Sequence, residues 1–170
     1  MESYMNRISN TGIVPVVKIL EKEDAYPLAK ALLNGGIDVI EVTYRSEHAT
    51  SAIQTISEQL PDMLVGAGTV LSVEQAKEAV EAGAKFIITP GFNTKVVQWC
   101  LNHDVEVYPG VSTASEVEMA LSMGLTQLKF FPAESSGGAK KLKDLSAPYA
   151  NVHFMPCLLY TSDAADEARS

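Results

Sequence analysis

The stretch Asp38-Val39-Ile40-Glu41-Val42-Thr43-Tyr44-Arg45 decides the fold. Its first five residues form a short, mostly apolar run, which predicts a strand over 38–42. Side chains alternate along a strand, so Glu41, Thr43 and Arg45 share one face. Glu41 and Thr43 fit badly in an open sheet whose two faces are both covered by apolar layers. A closed barrel of parallel strands accommodates them, because inward side chains near the carboxyl ends of its strands line the functional rim.

Outward from this strand the same pattern repeats. Further short apolar runs predict strands over 13–17, 63–67, 86–89, 105–108, 127–131 and 152–155. Amphipathic spacing predicts helices over 25–33, stopped by Asn34-Gly35-Gly36, and over 47–60, broken by Pro61-Asp62. Ser72 caps another helix, with Gln75 three residues on as a capping box, and Ala82-Gly83 ends it. Two more run over 93–102 and from a Ser112 cap to Gly124, and a weaker one follows Gly137-Gly138. One helix between successive strands implies βαβ units with parallel strands. Right-handed crossovers leave an open doubly wound sheet or a (β/α)8 barrel, and Glu41, Thr43 and Lys129 select the barrel. Such a barrel takes about 200–250 residues, whereas the chain has 170. The expectation is therefore an α/β chain whose residues 1–156 form an incomplete (β/α)8 TIM barrel. About seven strands are present, and the last strand and last two helices are missing.

Composition bounds the function. Hydrophobic residues make up 46% and charged residues 20%, enough apolar mass for a core. The net charge of −8 argues against non-specific nucleic-acid binding and against an anionic membrane surface. No apolar run approaches the roughly 20 residues of a membrane span, and Met1-Glu2-Ser3-Tyr4 lacks a signal-peptide pattern. Two cysteines, Cys100 and Cys157, make no disulfide framework and point to a reducing, cytoplasmic setting. Cys100 reads as packing under its helix. His48, His103 and His153 show no ligand spacing, so neither a metal nor a cofactor is expected.

Lys129 lies among Leu128, Phe130 and Phe131, and alternation puts Lys129 and Phe131 on one face. Apolar surroundings favour the neutral amine, a nucleophile that attacks ketones to form a Schiff base. The other reading is a strand-end lysine whose ammonium reaches water. Glu41 is either a proton-shuttling acid and base or half of a structural ion pair. Arg45, at its strand's carboxyl end, suits bidentate binding of a carboxylate or phosphate, or else lies on the surface. Gly66-Ala67-Gly68-Thr69 closes the third strand. It is no dinucleotide fingerprint, since Leu71 stands where a third glycine belongs. Its glycines either let backbone approach a small ligand, with Thr69 offering a hydroxyl, or form an ordinary βα turn. Thr89-Pro90-Gly91 and Tyr108-Pro109-Gly110 read as rim turns. Lys18, near the first strand's end, either reaches the substrate tail or faces solvent.

With these motifs in order, the chain resembles the class I 2-keto-3-deoxy-6-phosphogluconate (KDPG) / 4-hydroxy-2-oxoglutarate (KHG) aldolases. The matching blocks include Pro15-Val16-Val17, Ile40-Glu41-Val42-Thr43-Tyr44-Arg45, Val65-Gly66-Ala67-Gly68-Thr69-Val70 and Thr89-Pro90-Gly91. They continue through Pro109-Gly110-Val111-Ser112-Thr113 and Lys129-Phe130-Phe131-Pro132-Ala133-Glu134. The resemblance implies a metal-free, homotrimeric barrel. In it Lys129 is the Schiff-base lysine and Glu41 the proton-transferring glutamate. Arg45 and Thr69 hold the pyruvate carboxylate, and Pro90 and Phe131 complete the substrate site. It also implies the chemistry: attack on the C2 ketone, an iminium, C3–C4 cleavage, and release of an aldehyde and then pyruvate. Other readings are an inactive fragment of such an aldolase, and a phosphate-binding barrel isomerase or synthase without a covalent lysine.

The resemblance stops after Met155-Pro156, where the family continues with Thr-Gly-Gly and this chain has Cys157-Leu158-Leu159-Tyr160. The missing residues serve stereochemical preference and phosphate binding in the family, so the choice between the two substrates stays open. Residues 157–170 resemble a translated transposon end and sequencing adapter and are expected to lie outside the domain.

Overall fold

The computed structural model describes residues 4–157; the predicted foreign tail, apart from Cys157, falls outside them. Two compact units are present. The first takes the chain through Thr89 together with Asn93–Tyr108, and the second takes Pro90–Phe92 with the chain from Pro109 onward.

In the first unit, α1 (Tyr4–Thr11) leads into β1 (Val16–Val17) and a 3-10 turn at Lys22–Asp24. Then α2 (Ala25–Asn34), β2 (Val39–Thr43), α3 (Ala49–Gln59), β3 (Leu64–Gly68), α4 (Val73–Glu81), β4 (Phe86–Thr89) and α5 (Thr94–Asn102) alternate. The strands pair in parallel in chain order, Val16 opposite Glu41, Glu41 opposite Gly66, and Gly66 opposite Phe86. All residues of β2, β3 and β4 are buried, as a sheet covered on both faces requires. The helices present small apolar faces: α3 buries Ala49, Ala52, Ile53 and Ile56, spaced as one helical stripe. After α2, Gly36 takes φ 82°, and the Gly35 N–H closes on the carbonyls of Ala31 and Leu32.

The strand β5 (Glu106–Val111) passes from the first unit into the second. There α6 (Ala114–Ser122), β6 (Gln127–Phe130), α7 (Gly138–Ser146) and β7 (His153–Pro156) follow. The ladder is again parallel, Gly110 opposite Lys129 and Lys129 opposite Met155. Val111, Val117, Ala120, Leu128 and Phe130 form the centre of this unit's core, and Phe92 packs against it.

The rhythm of strands and helices matches the sequence reading, with four local corrections. The first strand is two residues, not 13–17, and Ile13 is 56% exposed. Pro15 has no N–H to give, and its carbonyl alone joins the ladder, accepting from the Glu41 N–H. Tyr108-Pro109-Gly110 is strand rather than turn, because proline forfeits one donor and not the whole ladder. Thr113, not Ser112, caps α6; its hydroxyl accepts from the Glu116 N–H, and Glu116 closes the box. At α4, Ser72 accepts from the Gln75 N–H as expected, but the Gln75 side chain reaches back to the Leu71 N–H.

Candidate active site

The first unit sets its polar residues on β2 and at the carboxyl ends of β2 and β3. Glu41 is 1% exposed, in the middle of β2. Its carboxylate lies over the backbone of Gly68, so that a Cβ there would collide with Oε1. A Cβ on Gly66 would likewise run into the Phe86 ring. The sequence reading gave this glycine-rich stretch either to ligand approach or to an ordinary turn. The structure instead fills the space beside it with the protein's own carboxylate and ring. Thr43 is also buried. Its hydroxyl donates to the Val17 carbonyl (2.8 Å) and accepts from Arg45 Nε (3.2 Å). Arg45 itself is exposed, two residues beyond the strand. Thr69 follows β3 at φ 54°, left-handed backbone that a β-branched residue enters only under strain of about 1–3 kcal/mol. Strain held at a strand's carboxyl end is a mark of a functional position. Beside it, the Tyr44 N–H donates to the Gly68 carbonyl. Burial raises the Tyr44 phenol above its ordinary pKa, against a hydrogen bond with Thr50. Lys18 is exposed just past β1.

The second unit sets Lys129 third in the four-residue β6, 7% exposed. Leu128 and Phe130 turn into the core on one face. On the other, the Lys129 Nζ stands 5.7 Å from the centre of the Phe131 ring, within cation–π range. Gly110 beside it on β5 has no side chain to crowd the amine. The Phe131–Pro132 peptide is cis. Pro90 is half-buried in the segment that joins this unit after β4.

The structure thus groups Thr43, Arg45 and Thr69 at neighbouring strand ends of the first unit, with the Glu41 carboxylate reaching Gly68 from mid-strand, and Lys129 with Phe131 in the second. Two contributors act otherwise than the sequence reading had them. Thr43 was placed only by its parity with Glu41, and Gly68 clears the room for Glu41 from another strand. Among the described residues no group of three His, Cys, Asp or Glu side chains could hold a metal. Cys100 is fully buried, as expected, and burial pushes its thiol up to about 12.

A family model described as KDPG and KHG aldolase matches residues 4–159. The 2-dehydro-3-deoxy-phosphogluconate aldolase of Treponema pallidum is 46% identical over 156 residues, 92% of this chain and 74% of the relative. The KHG/KDPG aldolase of Escherichia coli K12 is 43% identical over 150 residues, 88% of this chain and 70% of the relative. A solved KDPG aldolase from Legionella pneumophila, with pyruvate captured at low pH as a covalent carbinolamine, superposes with a TM-score of 0.82. It is 42% identical, and the match covers 84% of this chain and 69% of that one. The chain is therefore a lyase of the aldolase class. It belongs to the KDPG and KHG aldolase family.

Proposed function

We propose that the chain is a Schiff-base aldolase acting on KDPG, giving pyruvate and glyceraldehyde 3-phosphate, on KHG, giving pyruvate and glyoxylate, or on both. The observation that carries this reading is Lys129, an amine held in a strand between core residues and beneath an aromatic ring. Deprotonated, that amine is a nucleophile that adds to a ketone and forms a Schiff base. The Lys129 amine adds to the C2 ketone, and loss of water leaves an iminium that draws electrons from the C3–C4 bond. A base takes the C4 hydroxyl proton, the bond breaks, and the aldehyde departs. The remaining enamine is protonated at C3, and water releases pyruvate and the free lysine. Glu41 is assigned the proton transfers, Arg45 and Thr69 the carboxylate, and Pro90 and Phe131 the walls of the substrate site. The roles rest on the family's motif at these positions and on each residue's own setting.

The same reading makes residues 1–156 part of a (β/α)8 barrel that works as a cytoplasmic homotrimer, with residues 157–170 foreign to it. Light scattering gives the oligomer mass, and genomic sequence beyond the Pro156 codon tests the tail. The chemistry is tested by intact mass after incubation with pyruvate and borohydride. A reduced Schiff base adds about 72 Da, and the adduct should map to Lys129 and vanish in Lys129→Ala. An unmodified chain, or an adduct on other lysines, would overturn the assignment.

A further inference from the structure

We propose that Thr43 is the positioning residue that aims Arg45 at the carboxylate of the 2-keto acid. This rests on the carboxylate role given to Arg45 above. An exposed arginine on a strand end samples many rotamers and loses that freedom when it grips a ligand. Here one of its donors is already engaged: Nε–H gives to the Thr43 hydroxyl at 3.2 Å. The hydroxyl is itself fixed, because its own proton goes to the Val17 carbonyl at 2.8 Å. That carbonyl belongs to the neighbouring strand β1, whose Val17 pairs with Val42. The relay therefore runs from sheet backbone through a buried hydroxyl to the guanidinium. It leaves the two terminal nitrogens of Arg45 for a carboxylate, which matches their fork to two oxygens. Thr43 and Glu41 share a strand face, so the relay also fixes Arg45 against the strand that carries the glutamate. Valine has the shape of threonine without the hydroxyl, so it removes the relay and keeps the packing.

The test measures the rate of borohydride-trapped adduct against pyruvate concentration in the full chain. It compares the parent with Thr43→Val, Thr43→Ser and Arg45→Ala. Acetone serves as a ketone without a carboxylate. Thr43→Val is expected to raise the half-saturating pyruvate concentration roughly tenfold, the effect of one hydrogen bond to a charged group. Its maximal trapping rate should stay within about twofold, and its acetone trapping should match the parent's. Thr43→Ser should restore pyruvate binding. Equal losses with pyruvate and acetone would mean a merely structural threonine and overturn the proposal. Unchanged pyruvate binding in Thr43→Val would overturn it too, and Arg45→Ala then separates the two ideas. If Arg45→Ala weakens pyruvate binding, the carboxylate role stands and only the relay fails; if it does not, the role of Arg45 fails as well. A parent chain that traps no pyruvate removes the aldolase reading and the relay with it.

Discussion

At the scale of single residues, Glu41 keeps its place because Gly68 has no side chain. Alanine at 68 would drive a Cβ into the Glu41 carboxylate, displacing the group assigned to proton transfer. Gly68→Ala should lower kcat roughly a hundredfold, the lower range for a lost general acid–base, with circular dichroism unchanged. Cys100 gives a second expectation. Its thiol, raised to about 12 by burial, carries almost no thiolate at pH 8. Alkylation mapped by mass spectrometry should therefore spare Cys100 in the native chain and label it after denaturation. Glu41 and Lys129 were legible in the sequence because a charged residue inside an apolar strand breaks a strict pattern. Gly68 was legible only as a glycine, since the atoms it makes room for come from β2. Ser112 was read as the cap of α6, where the structure uses Thr113. The three-residue spacing to Glu116 selects Thr113, a signal that was present in the sequence.

At the scale of elements, α1 is anchored by one buried residue and by a set of polar contacts to distant parts of the chain. It buries only Ile8, while Arg7 Nε donates to Asp38 at 2.6 Å and its Nη2 to the Asp62 carbonyl. The Thr11 hydroxyl also lies within hydrogen-bonding reach of Asp38, and the Tyr4 N–H at the helix start donates to Glu106. Burial raises the Asp38 carboxyl, but hydrogen bonds from Thr11 and Arg7 with the Arg7 charge outweigh it, leaving the pKa below 3.8. A depressed carboxylate stabilises the fold fully above its ordinary value and loses that contribution as pH falls through the folded one. Melting curves of the parent and Asp38→Asn should differ at pH 7 by roughly 1 kcal/mol or less, given the solvent screening of a half-exposed pair. The difference should shrink only below about pH 3.8. At α6, Thr113→Ala should cost about 1 kcal/mol by urea unfolding, because the cap and its return bond go together. The sequence reading passed over α1, which is only eight residues long and buries Ile8 alone, and whose anchors Asp38, Asp62 and Glu106 lie far along the chain. The longer helices α3, α5 and α6 were readable because each buries a repeating apolar stripe.

At the scale of the molecule, the alternation of strand and helix was legible because short apolar runs and amphipathic stretches recur along the whole chain, separated by glycine, proline or capping residues. What periodicity does not carry is how strands meet in space, and therefore where a two-residue β1 suffices. Among the described residues, β1 pairs only with β2 and β7 only with β6. An unpaired strand edge is a template for other chains. Heating should therefore produce scattering whose onset temperature falls as protein concentration rises. Static light scattering during a melt checks this; an onset independent of concentration would show that the edges are protected.

The packing of Phe86 over Gly66 also constrains how the protein can change over generations. Every replacement of a glycine by another amino acid adds at least a Cβ, so position 66 has no neutral substitution while the ring stays in place. Phe86 has to shrink first, and that step leaves a cavity costing about 3–5 kcal/mol for Phe→Ala. The two positions can move together only through a weakened intermediate. A selection for double substitutions should recover changes at 66 almost solely beside a smaller residue at 86.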